Sequence, residues 1–450
     1  MENEINKVLE YFDALTKIPR PSGEEKAAAL YLCQWGEKNG FEAMMDNECN
    51  VIINVPAKHG FENAPLTILQ AHIDMVCVAE KGSKYNPYRD RIHYILENGY
   101  VRSLETSLGA DDGIGIALAQ FAAADIKTHG ALRLIFTSCE ETDLKGASAL
   151  DEKYLRARYL INIDGECGKD AIISSAGLMC KAVNGNVKLQ KSMYSKAFEI
   201  SVSGLPGGHS GMDINKNIPN AISLLNDYLK KLPECAIVSM RGGNAHNAIP
   251  SECTAVIVAP EGTVLGSDEI HVKEVSRPNS ALSSEETSRF FNLLGLLPNG
   301  VLSFFPDGSV QNSANIGTVD LHDDCFEILI SFRSNTSGCL ERMEKEFSKQ
   351  IAVSGWNVLD RDIQQPWAGE AGELFELYNA AAAGVSRPLR IHAGLECGAF
   401  AQKNKTLEII SIGPLTENVH TTKERIHLDA IEESIKLIER LLFNIADKAQ

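Results

Sequence analysis

The sequence predicts an α/β protein in which a mainly parallel sheet forms a discontinuous domain, interrupted by an inserted α+β domain. Three observations predict this. In the first part of the chain short apolar runs alternate with helical patterns, as in a parallel sheet covered on both faces. From about Lys181 the texture changes to half-exposed alternating strands and amphipathic helices. The last stretch then returns to the first texture. The expected division is Met1–Cys180 plus Ser386–Gln450 for the sheet domain, with residues 181–385 inserted as a lid. A chain of 450 residues exceeds one ordinary hydrophobic core, in keeping with two domains.

The elements follow in order. Glu24–Asn39 reads as a helix that Ser22-Gly23 begins and Gly40 stops. Val51–Val55 and Leu66–Ala71 are apolar runs of strand length, and Asp112–Ala124 is a helix of small residues. Leu132–Ser138 and Tyr159–Ile163 are strands. Beyond Lys181, Lys196–Val202 alternates as a half-exposed strand, and Ile218–Leu232 is an amphipathic helix. Ala236–Met240 and Thr254–Val258 are further strands. A strand at Phe326–Phe332, a helix over Leu340–Ala352 and a strand at Trp356–Asp360 repeat the strand-then-helix order, which fits a duplicated α+β module. Leu407–Ile412 is an apolar strand and Leu428–Ala446 a closing amphipathic helix.

Composition excludes several function classes. With 60 acidic against 43 basic residues the net charge is −17, which repels phosphate backbones and anionic lipids, so neither nucleic acid nor membrane is an expected partner. No apolar run is long enough to span a bilayer. The N-terminal stretch MENEINKVLEYFDALTKI is acidic and amphipathic, without the basic start and apolar core of a signal peptide, and a cytoplasmic protein is expected. The eleven cysteines are scattered, odd in number and never spaced C-x-x-C, so they read as buried thiols rather than disulfides or a zinc knuckle.

The chemistry lies where the strands end. Leu66–Ala71 runs into His72-Ile73-Asp74, Leu132–Ser138 into Glu140-Glu141, and Tyr159–Ile163 into Asp164. Leu407–Ile412 leads through Gly413-Pro414 to His420, while Asp111-Asp112 sits just before a helix. In open α/β sheets ligands gather at the carboxyl ends of the strands. Each piece alone has a bland explanation: an isolated H-x-D is usually a surface or core pair, and Asp111-Asp112 could cap a helix. Five such coincidences at one sheet edge are another matter. Two histidines with three or four carboxylates can hold two divalent cations, one carboxylate bridging, and such a pair activates water and polarises a carbonyl. A free carboxylate beside that water would serve as general base. Mixed histidine and carboxylate ligands without cysteine favour zinc, though cobalt or manganese would fit.

The strings LQAHIDMV, SLGADDGIGIALA, FTSCEETDLKGA, INIDGE, PGGHSGMDI and HAGLECGAF resemble the aminoacyl-histidine dipeptidases of the dizinc superfamily that also holds aminoacylase and the bacterial tripeptidases. The resemblance implies that His72 and Asp164 bind one zinc, Glu141 and His420 the other, and that Asp111 bridges. It implies Glu140 as general base for a zinc-bound hydroxide, and Asp74 as the residue that orients His72. In the inserted segment, Pro206-Gly207-Gly208-His209-Ser210-Gly211 reads as a loop presenting His209, which the resemblance makes the oxyanion donor. Asn247 and Arg333 match positions that contact the substrate carboxylate, and Glu396 is a supporting carboxylate or a substrate-amine contact.

Two departures stand out. Asp112 replaces Asn, and pointing inward it would tighten cation binding. The segment GECGKDA after Asp164 is shorter and differently charged, which bears on the pocket floor and on any preference for histidine. The expected activity is hydrolysis of dipeptides, Xaa-His-like or of broad specificity, by a monomer or homodimer. A tripeptidase or N-acyl amino acid hydrolase is the alternative, discriminated by comparing rates on the three substrate classes. A silent metal- or peptide-binding relative would be expected to have lost at least one ligand, and none is missing.

Overall fold

Four apolar strands lie side by side and parallel at the centre of the first unit of the structure, a computed structural model that describes residues 2–266 and 269–449. Their order is Leu132–Thr137, Thr67–His72, Tyr159–Asn162 and Glu408–Gly413. Nearly every residue in them is buried, as strands covered on both faces require. The sheet extends to eight strands: Val51–Val55 and Glu42–Met45 follow antiparallel on one side, and Gly168–Ser175, also antiparallel, then Pro388–Ile391 on the other. The register sets Gln70 level with Ile135 and Asn162, and Asn162 level with Ser411. The four carboxyl ends therefore finish together.

The helix Ala110–Ala124 is buried on almost every side, which explains its small residues: the helix Glu2–Thr16, the closing helix Leu428–Asp447 and the His72 strand all pack against it. The acidic N-terminal stretch is thus a helix, burying Val8, Phe12 and Leu15 in the same core.

The chain divides into two compact units, Met1–Ser174 with Gly369–Arg390 and Leu395–Gln450, and Ser175–Ala368 with Ile391–Gly394. Residues 369–385, expected in the insertion, fall in the first unit. The reason is the helix Glu373–Ala381, whose Leu374, Phe375 and Tyr378 share a core with Leu437 and Leu441 of the closing helix.

The second unit is built on one nine-stranded sheet whose pairings are antiparallel. Both strand-and-helix groups expected from the sequence fall in it, joined through two long strands, Gly177–Asn186 and Val310–His322, that the sequence pattern did not reveal. The helices Ala221–Leu229, Ser284–Leu296 and Cys339–Ser354 bury their apolar faces in its core. All eleven cysteines are free. Among the described residues no helix is long and apolar enough to cross a membrane.

Candidate metal centre

Each expected ligand leaves the parallel sheet by its own local device. His72 is the last residue of its strand, and Asp164 lies two residues beyond Tyr159–Asn162. His420 follows the strand Glu408–Gly413 and holds a φ of 61°. Asp111 leaves a turn at Gly109, whose φ is 68°; a Cβ there would lie 2.6 Å from Met75 Sδ and 2.7 Å from Arg20 Nη2, so the position needs glycine twice over. The Asp111–Asp112 peptide is cis. Glu140 and Glu141 begin a four-residue helical turn, Glu140–Asp143, entered through Cys139 at a φ of 53°. A helical turn splays successive side chains by about 100°, so the two carboxylates leave it in different directions.

These devices bring the five expected ligands together. Asp111 Oδ1 lies 2.9 Å from His72 Nε2, and Asp111 Oδ2 lies 2.9 Å from His420 Nε2. Glu141 Oε2 is 3.0 Å from His420 Nε2, and Asp164 Oδ1 is 3.8 Å from His72 Nε2. Donors on one tetrahedral zinc with bonds of about 2.0–2.1 Å stand about 3.3 Å apart, and the observed spacings straddle that value. His72, Asp111 and Asp164 make one group of single-ion size and Asp111, Glu141 and His420 another, with one Asp111 oxygen turned to each. Glu140 joins His72 and Glu141 in a third. Glu141 Oε1 is buried without a hydrogen-bond partner. The donor set fits two cations.

Charge crowding agrees. Burial pushes Glu140 and Asp164 well above the usual carboxylate range, and neighbouring carboxylates push them further. Burial alone would lower His72, but Asp111, Asp74 and Asp164 outweigh it and hold the imidazole well above its ordinary value. Hydrogen bonds to Asp111 and Glu141 hold His420 up to about 11. Burial would raise Asp111, yet the two imidazoles win and hold it low.

A supporting layer fixes the ligands. Asp74 offers its carbonyl to His72 Nδ1 at 3.1 Å, with its carboxylate 3.5 Å away. That carboxylate mainly serves the glutamate turn, accepting the N–H groups of Glu140 at 3.0 Å and Glu141 at 3.1 Å and the Ser22 hydroxyl at 2.7 Å. Asp112 also turns toward main chain, its Oδ2 accepting from His72 N at 3.1 Å, and is buried. Glu396 Oε2 accepts from Gln70 Nε2 at 2.6 Å and Thr137 Oγ1 at 2.7 Å, while Oε1 is buried without a partner; burial pushes this carboxyl up to about 7.

Sequence reasoning missed two members of this layer. Arg20 is buried and donates to the carbonyls of Ile73 at 2.6 Å, Asp74 at 2.9 Å and Gly109 at 2.6 Å. Glu424 accepts four successive N–H groups, Leu108 at 2.7 Å, Gly109 at 3.0 Å, Ala110 at 2.7 Å and Asp111 at 3.2 Å. Both act on backbone, which leaves no side-chain pattern; the faint signal for Glu424 was an acid four residues past a ligand histidine.

The second unit gathers its own polar group. Gly208–His209 forms a two-residue strand against Ala248–Ile249 rather than the expected loop. His209 Nδ1 accepts from Met212 N at 3.0 Å, which leaves Nε2 to carry the proton of the neutral ring. Arg333 Nη2 stands 3.5 Å from that Nε2. The Arg333 guanidinium is buried, its Nε has no hydrogen-bond partner, and burial lowers it to about 10. Two donors side by side suit an anion. The Asn247 carbonyl accepts from Ser210 N at 2.8 Å, tying that residue's backbone to the same turn.

Comparison with known proteins agrees with this chemistry. The model of peptidase family M20/M25/M40 matches residues 68–444. The cytosol non-specific dipeptidase of Escherichia coli K12 is 30% identical over 97% of this chain and 97% of its own length. The crystal structure of an aminoacylhistidine dipeptidase from Vibrio alginolyticus superposes with a TM-score of 0.83 at 28% identity, covering 97% of this chain and 96% of that one. A tripeptidase from Staphylococcus aureus shares the fold at a TM-score of 0.59 and 15% identity, over 98% of this chain and 99% of its own.

Proposed function

The chain belongs to peptidase family M20/M25/M40 and is a metal-dependent peptide-bond hydrolase acting on dipeptides, and we propose that it works through two zinc ions bridged by Asp111. The observation that carries this reading is the Asp111 carboxylate, with one oxygen turned to His72 and the other to His420. His72 and Asp164 would hold one ion, Glu141 and His420 the other; cobalt or manganese would suit the same donors. When bound, such a pair supplies Lewis acidity toward the scissile carbonyl and acidifies water.

The chain's own residues do the rest. Glu140 takes the proton of the attacking water and returns it to the departing amine, a role supported by its place beside His72 and by burial, which raises its affinity for a proton well above that of an ordinary carboxylate. Asp74 keeps Nε2 of His72 facing the cation and fixes the turn that carries both glutamates. In the second unit, His209 is assigned as oxyanion donor and Arg333 as the group that grips the free α-carboxylate, with Asn247 beside them; the paired donors and the buried Arg333 Nε without a hydrogen-bond partner support this. The lid role of that unit and a cytoplasmic location belong to the same proposal. Broad dipeptidase action is favoured over a strict demand for histidine, since GECGKDA departs from the resembled pattern.

The test is a rate comparison on a panel of dipeptides, tripeptides and N-acyl amino acids. Dipeptides should be cleaved with the highest kcat/KM. A panel led by tripeptides or by N-acyl amino acids overturns the assignment.

A further inference from the structure

Glu166 borders the metal centre, and none of the ligand groups includes it. It lies in GECGKDA, two residues past Asp164. The turn that carries it is locked to the neighbouring His420 strand. Gly165 N donates to Ile412 O at 2.8 Å, and a Cβ at Gly165 would lie 2.9 Å from the backbone nitrogen and carbonyl carbon of Ile412, an approach that glycine allows. Glu166 itself holds a φ of 46°, in the left-handed region that L side chains occupy at a cost. Glycine or asparagine would adopt it more easily. Instead a glutamate stands there with Oε1 sealed from solvent and without a hydrogen-bond partner. Asp111, His420, Glu424 and Glu141 are among the charged groups that act on it, and its turn is bonded to the strand that leads to His420.

An unmet buried acceptor at a costly backbone position points to a partner that arrives with function. The substrate class supplies one. In a dipeptide the N-terminal ammonium is separated from the scissile carbonyl carbon by one carbon, about 2.5 Å through space. Wherever the metal ions hold that carbonyl, the ammonium falls at the edge of the same centre. We propose that Glu166 receives the N-terminal ammonium of the dipeptide and so sets the preference for a free amine over an N-acylated amino acid. This rests on the dipeptidase reading above and names the feature of the substrate that the first unit recognises.

The test compares zinc-loaded wild-type protein with Glu166→Gln on alanyl-alanine and on propionyl-alanine, which differ by the ammonium group alone. Wild type should prefer alanyl-alanine by at least about 100-fold in kcat/KM, the discrimination typical of a site built around a charged substrate group. Glu166→Gln should lose at least about tenfold on alanyl-alanine, mainly through KM, with propionyl-alanine unchanged and zinc content still equal to wild type. Glu166→Gly, which relieves the left-handed φ, guards against a folding failure and should show the same selective loss. Equal losses on both substrates, or a loss of zinc, overturn the role of Glu166. A variant that keeps the wild-type preference overturns it too while leaving the dipeptidase reading in place. A wild type indifferent to the ammonium removes both.

Discussion

At the scale of single residues, the proposal gives two adjacent glutamates different work. Glu141 shares His420 with Asp111, whereas Glu140 groups with His72. Glu140→Gln keeps size and shape but cannot accept a proton, so kcat should fall by roughly 10²–10⁴ or more, with metal content and substrate affinity near wild type. Glu141→Gln should instead weaken one ion and recover part of its activity in excess metal. Parallel metal analysis and kinetics distinguish the two; near-normal turnover in Glu140→Gln would remove the general base. A pH effect follows from His420. Its pKa of about 11 in the metal-free protein, raised by Asp111 and Glu141, makes it an imidazolium at neutral pH. An incoming cation must displace that proton, so metal uptake releases protons and affinity rises with pH. Calorimetric titration in two buffers of different ionisation heat measures the release directly, and a value of zero contradicts the assignment of His420 as a ligand.

At the scale of elements, the site depends on how turns are held. Glu424 gathers four N–H groups of the segment 108–111, and Arg20 ties the same segment to the carbonyls beyond His72. Glu424→Gln replaces one acceptor oxygen by a donor facing those N–H groups. It should cost about 1–3 kcal/mol of stability and weaken metal affinity, since Asp111 rides on that segment. Thermal unfolding and chelator competition check both, and an unchanged metal affinity would separate Glu424 from the centre. The strands were legible because parallel strands buried on both faces read as uninterrupted apolar runs: Thr67–His72 lies one residue from its expected span, and Val51–Val55 coincides with it. Four of the candidate ligands were legible because each ends or follows such a run, and Asp111 because it stands at the start of a helix of small residues. Arg20 and Glu424 were not, since their partners are main-chain groups common to every sequence. The Glu140–Asp143 turn was read as a strand end because four residues carry no helical period.

At the scale of the whole molecule, each of the two units carries its own chemistry. The first offers carboxylates and imidazoles for cations, and the second a buried guanidinium beside an imidazole N–H. Arg333→Ala should raise KM for free dipeptides far more than for their C-terminal amides, because only the former present a carboxylate to grip; equal effects on both would end the clamp assignment. The central claim is hydrolysis by two ions sharing Asp111. Its most direct test strips the protein with a strong chelator and returns zinc stepwise while dipeptide cleavage is followed. Two-ion hydrolysis predicts an inactive but folded metal-free protein whose activity climbs to its plateau at about two zinc ions per chain. Full activity in metal-free protein, or a plateau reached at one ion, would contradict it.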